Sequence, residues 1–263
     1  MNSNNPFASF DIEHLSASSL NTYINDPCMF IIRYLFGFKG KGNPAMWRGT
    51  IVDQIIGMML MSQKVIDQDY IEDLIKQAIA RFDGLYEHYK DEMTIDEKKY
   101  SKERLAIEKY LSVAIPFYKQ LGEPVSYQEE VRLQLDSVPI DIIGYIDLEY
   151  KGLVRDIKTV GRMPSEVPNS VKRQMSVYAT AKQCDVVVDY VYASSSKAEV
   201  KVVEVKDIKE HIKVVEKTAH AVMNLLSYSN DKYEIAKLFV PNFDSWMWSS
   251  AEDIEFAKSI WEI

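Results

Sequence analysis

The sequence predicts an α/β fold: a mixed β-sheet core flanked by helices, with a helical subdomain at the N-terminal end. Three observations predict it. Residues 1–122 carry apolar residues at helical spacing, whereas period-two alternation begins only after residue 123. From there strand-like segments run in the order strand, strand, strand, helix, strand, strand, helix. The 263 residues, 47% hydrophobic and 27% charged, supply an ample core and exclude disordered, collagen-like and disulfide-scaffold classes. One integrated domain is expected, with a helical part at 1–122 and a core with C-terminal helices at 123–263.

The elements follow in order. HLSASSLNTYIND offers Ser16, Ser18 and Ser19 as helix caps, and Pro27 closes that helix. A Gly/Lys-rich loop, FGFKGKGNPA, leads to MWRGTIVDQIIGMMLMS, whose Ile51, Ile55, Met58 and Met59 fall at helical spacing. Amphipathic helices are expected within 67–90 and 95–121. SYQEEVRLQL alternates through Val131, Leu133 and Leu135 and reads as a strand. PIDIIGYIDLEY and LVRDIKTV are the next two strands, residues 167–182 a helix, and DVVVDYVYAS and AEVKVVEV two more strands. A long helix over 207–228, a Pro-Asn-Phe loop and a short final helix complete the chain. Ser249 and Glu252 suggest a capping box at that last helix.

Residues 144–160, GYIDLEYKGLVRDIKTV, concentrate ionisable groups. A two-residue turn at Lys151-Gly152 pairs Tyr150 with Leu153. In that register Asp147 falls opposite Asp156, and Lys158 shares the face of Asp156. Aspartate is depleted in strands, and adjacent carboxylates repel. A divalent cation resolves the repulsion. Hard oxygen ligands suit Mg²⁺ or Mn²⁺, and a nearby lysine can orient or deprotonate water or steady a phosphate charge. Spacing alone leaves open a solvated strand face on which the three groups form ion pairs.

These residues resemble the PD-(D/E)xK nuclease superfamily in its RecB-like exonuclease branch. Three ordered motifs carry the resemblance: G-x-x-D at Gly144 to Asp147, D-x-K at Asp156 to Lys158, and Q-x-x-x-Y at Gln174 to Tyr178. The resemblance reaches both ends of the chain. SASSLNTYINDPCMF is similar to the serine-rich segment that opens these nucleases. GTIVD matches a helix that normally reads G-x-x-x-H, with Asp53 where the family has a histidine ligand. FVPNFDSWMWSSAEDIEFAKSIW is similar to the family's tail.

The resemblance implies a restriction-endonuclease-like fold with Mg²⁺ or Mn²⁺ held by Asp53, Asp147, Asp156 and the backbone carbonyl of Ile157. Glu130 is a further acidic candidate, preferred over Glu129 because Glu129 shares the face of Val131 and Leu133. Asp147, Asp156, Lys158, Gln174 and Tyr178 are the expected catalytic or substrate-holding set. Many relatives hold an iron–sulfur cluster through tail cysteines. Here the tail has Met247, Trp248 and Ser249 and no cysteine, so no cluster is expected, and packing of Trp246 and Trp248 is expected to fasten the tail.

A net charge of −8 argues at first sight against DNA as partner. Residues 151–182, however, hold seven basic and two acidic residues, and Arg33, Lys39, Lys41 and Arg48 form a second basic cluster. DNA contacts are assigned on this basis to Arg48, Arg155, Arg162, Lys172 and Arg173. Tyr23, Tyr34, Phe36, Phe38 and Trp47 interleave with the second cluster, for base stacking or for core packing. There is no P-loop, dinucleotide fingerprint or G-x-S-x-G elbow, and the four histidines lack metal spacing. The polar start, the short apolar runs and two distant cysteines predict no membrane span and a reducing cytoplasm, that of a bacterial or phage-infected cell. The expected activity is a metal-dependent DNA exonuclease in repair, recombination or phage replication, with a recombination or replication protein as its partner class. The alternatives are a non-catalytic DNA-binding module of the same fold and a structure-selective endonuclease.

Overall fold

The computed structural model describes residues 5–194 and 196–263. Serine chemistry starts the first helix as expected: Ser16 caps α1 (Ala17–Asn25) in a reciprocal box with Ser19, each hydroxyl accepting the other's backbone N–H. Just before it, Leu15–Ser16 form a two-residue strand, β1, that sequence periodicity does not reveal. The chain continues through a short turn of helix α2 (Pro27–Phe30), a π-helical stretch (Ile31–Leu35), α3 (Pro44–Leu60), α4 (Gln68–Tyr89) and α5 (Glu97–Leu121). Asn43, Asp67 and Asp96 cap these three long helices with their side chains, and Pro44 supplies a first helical residue that needs no donor.

The remaining strands are β2 (Ser126–Leu133), β3 (Ile142–Tyr150), β4 (Leu153–Val160), β5 (Asp185–Ala193) and β6 (Ala198–Glu204). Gly152, at φ 77°, turns β3 into β4 in the expected Tyr150–Leu153 register. Helix α6 (Asn169–Lys182) crosses over so that β4 and β5 pair in parallel, and β6 adds antiparallel to β5. The result is one mixed six-stranded sheet. It is followed by α7 (Ile208–Leu226), the single-turn α8 (Lys232–Ala236) and α9 (Ala251–Trp261).

Apolar side chains sort to both faces of the sheet. On one face Ile142, Ile146, Val186 and Val188 pack with α1, α6 and α7 residues such as Leu20, Met175, Val177, Val215 and Val222. On the other, Leu148, Ile157 and Val191 pack with α3, α4 and α5 through Ile51, Ile55, Phe82, Tyr110 and Tyr118. Helix α1 therefore joins the C-terminal helices, while α3–α5 cover the opposite side.

A third cluster fastens the tail. Trp248 is 3% exposed, packs with Cys28, Met29, Ile32 and Ala257, and donates its indole N–H to Asp26 Oδ2 at 2.6 Å. Trp246 does not share this role: it is 75% exposed, because the backbone turn at 246–248 points only one of the two rings inward. The last helix is capped one residue later than expected, by Ser250 accepting from the Asp253 N–H, so the box proposed for Ser249 and Glu252 is replaced.

Candidate active site

The site forms where β3 and β4 part. Their ladder runs only from Tyr150↔Leu153 to Leu148↔Arg155. Beyond it β4 stays with β5, β3 stays with β2, and β1 pairs with β3 at Ile142 and Ile143. Residues 144–147 thus have β2 on one edge and no ladder partner on the other. Buried backbone groups need partners, and side chains supply them. Asp147 Oδ2 accepts the Ile157 N–H at 2.7 Å. Tyr178, from α6, donates its hydroxyl to the Tyr145 carbonyl at 2.9 Å. It reaches that carbonyl because Gly144 has no side chain; a Cβ there would stand 2.5 Å from Tyr178 Cε1. Gln174, one turn earlier on α6, donates to the same hydroxyl at 2.9 Å. The glycine and aspartate of G-x-x-D and the pair of Q-x-x-x-Y are parts of one device that fills the fork.

The sheet also changes face at this point. Ile142 and Ile146 of β3 lie under α6, whereas Leu148 lies under α3–α5. In β2, Gln128 falls between the pairs Tyr127↔Leu148 and Glu129↔Ile146, and its backbone takes a left-handed φ of 53°. Strict alternation therefore does not run through Asp147. The cross-strand pairing expected for Asp147 and Asp156 gives way to the bond from the Ile157 N–H, one step beyond the end of the ladder.

Asp156, 1% exposed, lies in β4 within electrostatic reach of both Tyr178 of α6 and Asp53 of α3. Lys158 Nζ donates to its Oδ1 at 2.9 Å and lies 2.7 Å from its Oδ2. Asp53 comes from the middle of α3. Its Oδ2 accepts from Gln128 Nε2 at 2.9 Å and from the Tyr127 hydroxyl at 3.3 Å, and the same Gln128 nitrogen donates to Asp147 Oδ1 at 3.1 Å. Tyr127 approaches closely because Gly57, one helical turn beyond Asp53, leaves room for its ring.

Burial and mutual charge govern the titration of these groups. Burial pushes the Asp53 carboxyl up to about 6; the Tyr127 hydrogen bond opposes this and the Asp156 charge adds to it. Burial raises Asp147 well above the usual carboxylate range, with the charges of Asp156 and Asp53 adding to it. For Lys158 burial acts downward, but Asp156 and Asp147 outweigh it and hold the ammonium above its ordinary value. Among the described residues no three His, Cys, Asp or Glu side chains enclose an ion as they stand. Two observations nonetheless fit a small hard cation. Asp53 Oδ1 is buried without a hydrogen-bond donor, and the carboxylates gathered here present oxygen, Asp156 Oδ2 having only the Lys158 ammonium beside it at 2.7 Å.

The structure thus brings together Asp53, Asp147, Asp156, Ile157, Lys158, Gln174 and Tyr178. Glu130 is elsewhere: it is exposed, accepts from the Tyr145 hydroxyl at 3.0 Å and pairs with Arg132 at 2.6 Å, so it faces solvent rather than the fork. Three of the five basic residues assigned to DNA are also corrected. Arg48 is 5% exposed, ion-paired with Glu103 and stacked on the Tyr110 ring. Arg155 Nη1 bonds both oxygens of the fully buried Asp189 at 2.7 and 2.9 Å. Arg173 is buried and donates to Asn21 Oδ1 at 2.5 Å, tying α6 to α1. These guanidiniums serve the interior because carboxylate or amide partners lie beside them. Arg162 is exposed and Lys172 half-buried. The aromatic residues of the second basic cluster pack with other rings: Tyr34 on Phe30, Phe38 on Phe256, Trp47 on Tyr89. Sequence reasoning missed Tyr127 and Gln128. Their approach to Asp53 depends on the fold of β2 against α3, which no local pattern encodes.

Comparison with known proteins agrees with this geometry. A family model described as the PD-(D/E)XK nuclease superfamily matches residues 14–243. A search of curated proteins gives no match. Among solved structures, one named as a "putative exonuclease" from Eubacterium rectale superposes with a TM-score of 0.53 at 10% identity, covering 91% of this chain and 86% of that one, a likeness of fold. The structure of SSO0001 matches with a TM-score of 0.34 and 16% identity, over 65% of this chain and 84% of that one. No helix among the described residues is long and apolar enough to cross a membrane. With the family match spanning most of its length and the three motifs meeting at one fork in the sheet, this chain belongs to the PD-(D/E)XK nuclease superfamily, and is a hydrolytic nuclease whose substrate is nucleic acid.

Proposed function

We propose that the chain is a Mg²⁺- or Mn²⁺-dependent exonuclease acting on linear DNA in repair, recombination or phage replication. One observation carries the reading: three carboxylates, Asp156 buried and Asp53 and Asp147 half-buried, converge with one ammonium at a fork that side chains, not a strand, fill. Asp53, Asp147, Asp156 and the Ile157 carbonyl would hold the cation. When bound, it supplies positive charge to the scissile phosphate and to the departing oxygen.

The chain's own groups do the rest. Lys158 stays charged beside Asp156 and donates to a phosphate oxygen as charge builds there. Asp147 holds the Ile157 N–H at the fork, and because the N–H and C=O of one strand residue point to the same edge, the Ile157 carbonyl faces the fork with it. Gln174 and Tyr178 line an adjoining cleft of about 360 Å³ with Ser16, Ser18, Gly144 and Tyr145, which gives the strand backbone a place beside these groups. Arg162, exposed, and Lys172, half-buried, remain as phosphate contacts.

The test uses end-labelled linear single- and double-stranded DNA and covalently closed circles, each with Mg²⁺, Mn²⁺ or chelator. Linear DNA is expected to shorten from its ends only with metal, and circles to stay intact. Asp156→Asn or Lys158→Ala abolishes the products while cooperative unfolding persists. Cleaved circles indicate the endonuclease instead, and binding without products in any metal indicates the non-catalytic module.

A further inference from the structure

Gln128 does more than its place in β2 requires. Its left-handed φ of 53° is a costly choice for a residue with a side chain in a strand. The residue is exposed, yet both hydrogen bonds of its side-chain nitrogen go to carboxylates of the fork, Asp53 Oδ2 at 2.9 Å and Asp147 Oδ1 at 3.1 Å. Carboxylate oxygens accept, so the nitrogen is the atom that stands between them. One nitrogen thus stands within 3.1 Å of an oxygen from α3 and an oxygen from β3, on two of the carboxylates that would hold a cation. An N–H group cannot ligate a cation, and Mg²⁺ draws its oxygens in to roughly 2.0–2.1 Å.

We propose that Gln128 is a placeholder for the divalent cation. In the metal-free protein its amide bridges Asp53 and Asp147 and relieves their repulsion; when the cation enters, the amide is displaced to solvent. The proposal rests on the metal-dependent reading above. Bonds that exist only in the metal-free form stabilise that form, so removing them favours the metal-bound one. Gln128 is a positioning residue in this scheme, since it acts through the two aspartates.

The experiment titrates Mn²⁺ into metal-free wild-type, Gln128→Ala and Gln128→Asn protein by calorimetry, and records the unfolding midpoint of each with chelator and with saturating Mn²⁺. Asparagine accepts the left-handed backbone but is too short to span both carboxylates. Both variants are expected to bind Mn²⁺ about tenfold tighter, the equivalent of about 1.4 kcal/mol. The metal-free midpoint falls in both, and the Mn²⁺-saturated midpoint of Gln128→Asn equals that of wild type. Weaker binding identifies the amide oxygen as a ligand and overturns the proposal. Unchanged affinity with both midpoints lowered identifies a purely structural residue and also overturns it. If wild type binds no Mn²⁺, the metal-dependent reading fails and the placeholder fails with it. If wild type binds and the variants bind no tighter, only the placeholder is lost.

Discussion

At the scale of single residues, the site is a charge problem solved with few groups. Asp53, Asp147 and Asp156 are held near one another with the Lys158 ammonium beside Asp156, and burial, with the neighbouring carboxylate charges adding to it, raises the Asp53 and Asp147 carboxyls. This has a consequence for stability. A carboxyl near 6 in the fold and near 3.8 when free binds its proton more tightly folded than unfolded. The unfolded chain therefore loses that proton first as pH rises, and stability falls between about pH 4 and pH 6 and stays low above it. The loss from Asp53 is on the order of 2–3 kcal/mol. In chelator, Asp53→Asn should match wild type near pH 4 and exceed it above pH 6.5 in urea unfolding; equal stabilities at both pH values would contradict the buried, uncompensated charge. That the side chains of this candidate site lie together is largely legible from their motifs. The fates of Arg48, Arg155 and Arg173 are not. Each is decided by one distant partner, Glu103, Asp189 or Asn21, and a charge count along the chain cannot distinguish a paired guanidinium from a free one.

At the scale of elements, the fork between β3 and β4 is what the motif spacing encodes. Helix and strand order follow from periodicity, but β1 is too short for any pattern, and the face change at Asp147 and Gln128 breaks the alternation on which strand reading depends. Gly144 and Tyr178 are the coupled pair at the fork. In Gly144→Ala the new Cβ meets the ring at 2.5 Å, so the ring must leave the Tyr145 carbonyl or the strand must move. The expected cost is about 1–3 kcal/mol of stability, with nuclease activity reduced because Gln174 and Tyr178 move together. With Tyr178→Ala already made, the same glycine substitution should cost much less. A double-mutant cycle in urea measures this directly. Additive losses would mean that the glycine serves the backbone alone and not the ring.

At the scale of the whole molecule, the chain closes on itself. Asp26 caps α2 through the Cys28 and Met29 N–H groups with one oxygen and accepts the Trp248 indole with the other. Arg33 pairs with Asp253 at 2.5 Å, and Phe38 stacks on Phe256 at 4.2 Å. Burial holds the Cys28 thiol up at about 12, so within this seam it behaves as an apolar filler and not as a thiolate. The tail's two tryptophans separate the contributions. Trp248→Phe keeps a buried ring but leaves Asp26 Oδ2 without its donor, at a cost of about 1.5–3 kcal/mol for a hydrogen bond to a charged group. Trp246→Ala removes an exposed ring and should stay within about 0.5 kcal/mol of wild type. Both are measured by urea unfolding, with hydrogen exchange in α9 as the local readout. Trp248→Phe should speed exchange there and Trp246→Ala should not. Equal effects from the two substitutions would show that the Asp26–Trp248 bond does not fasten the tail.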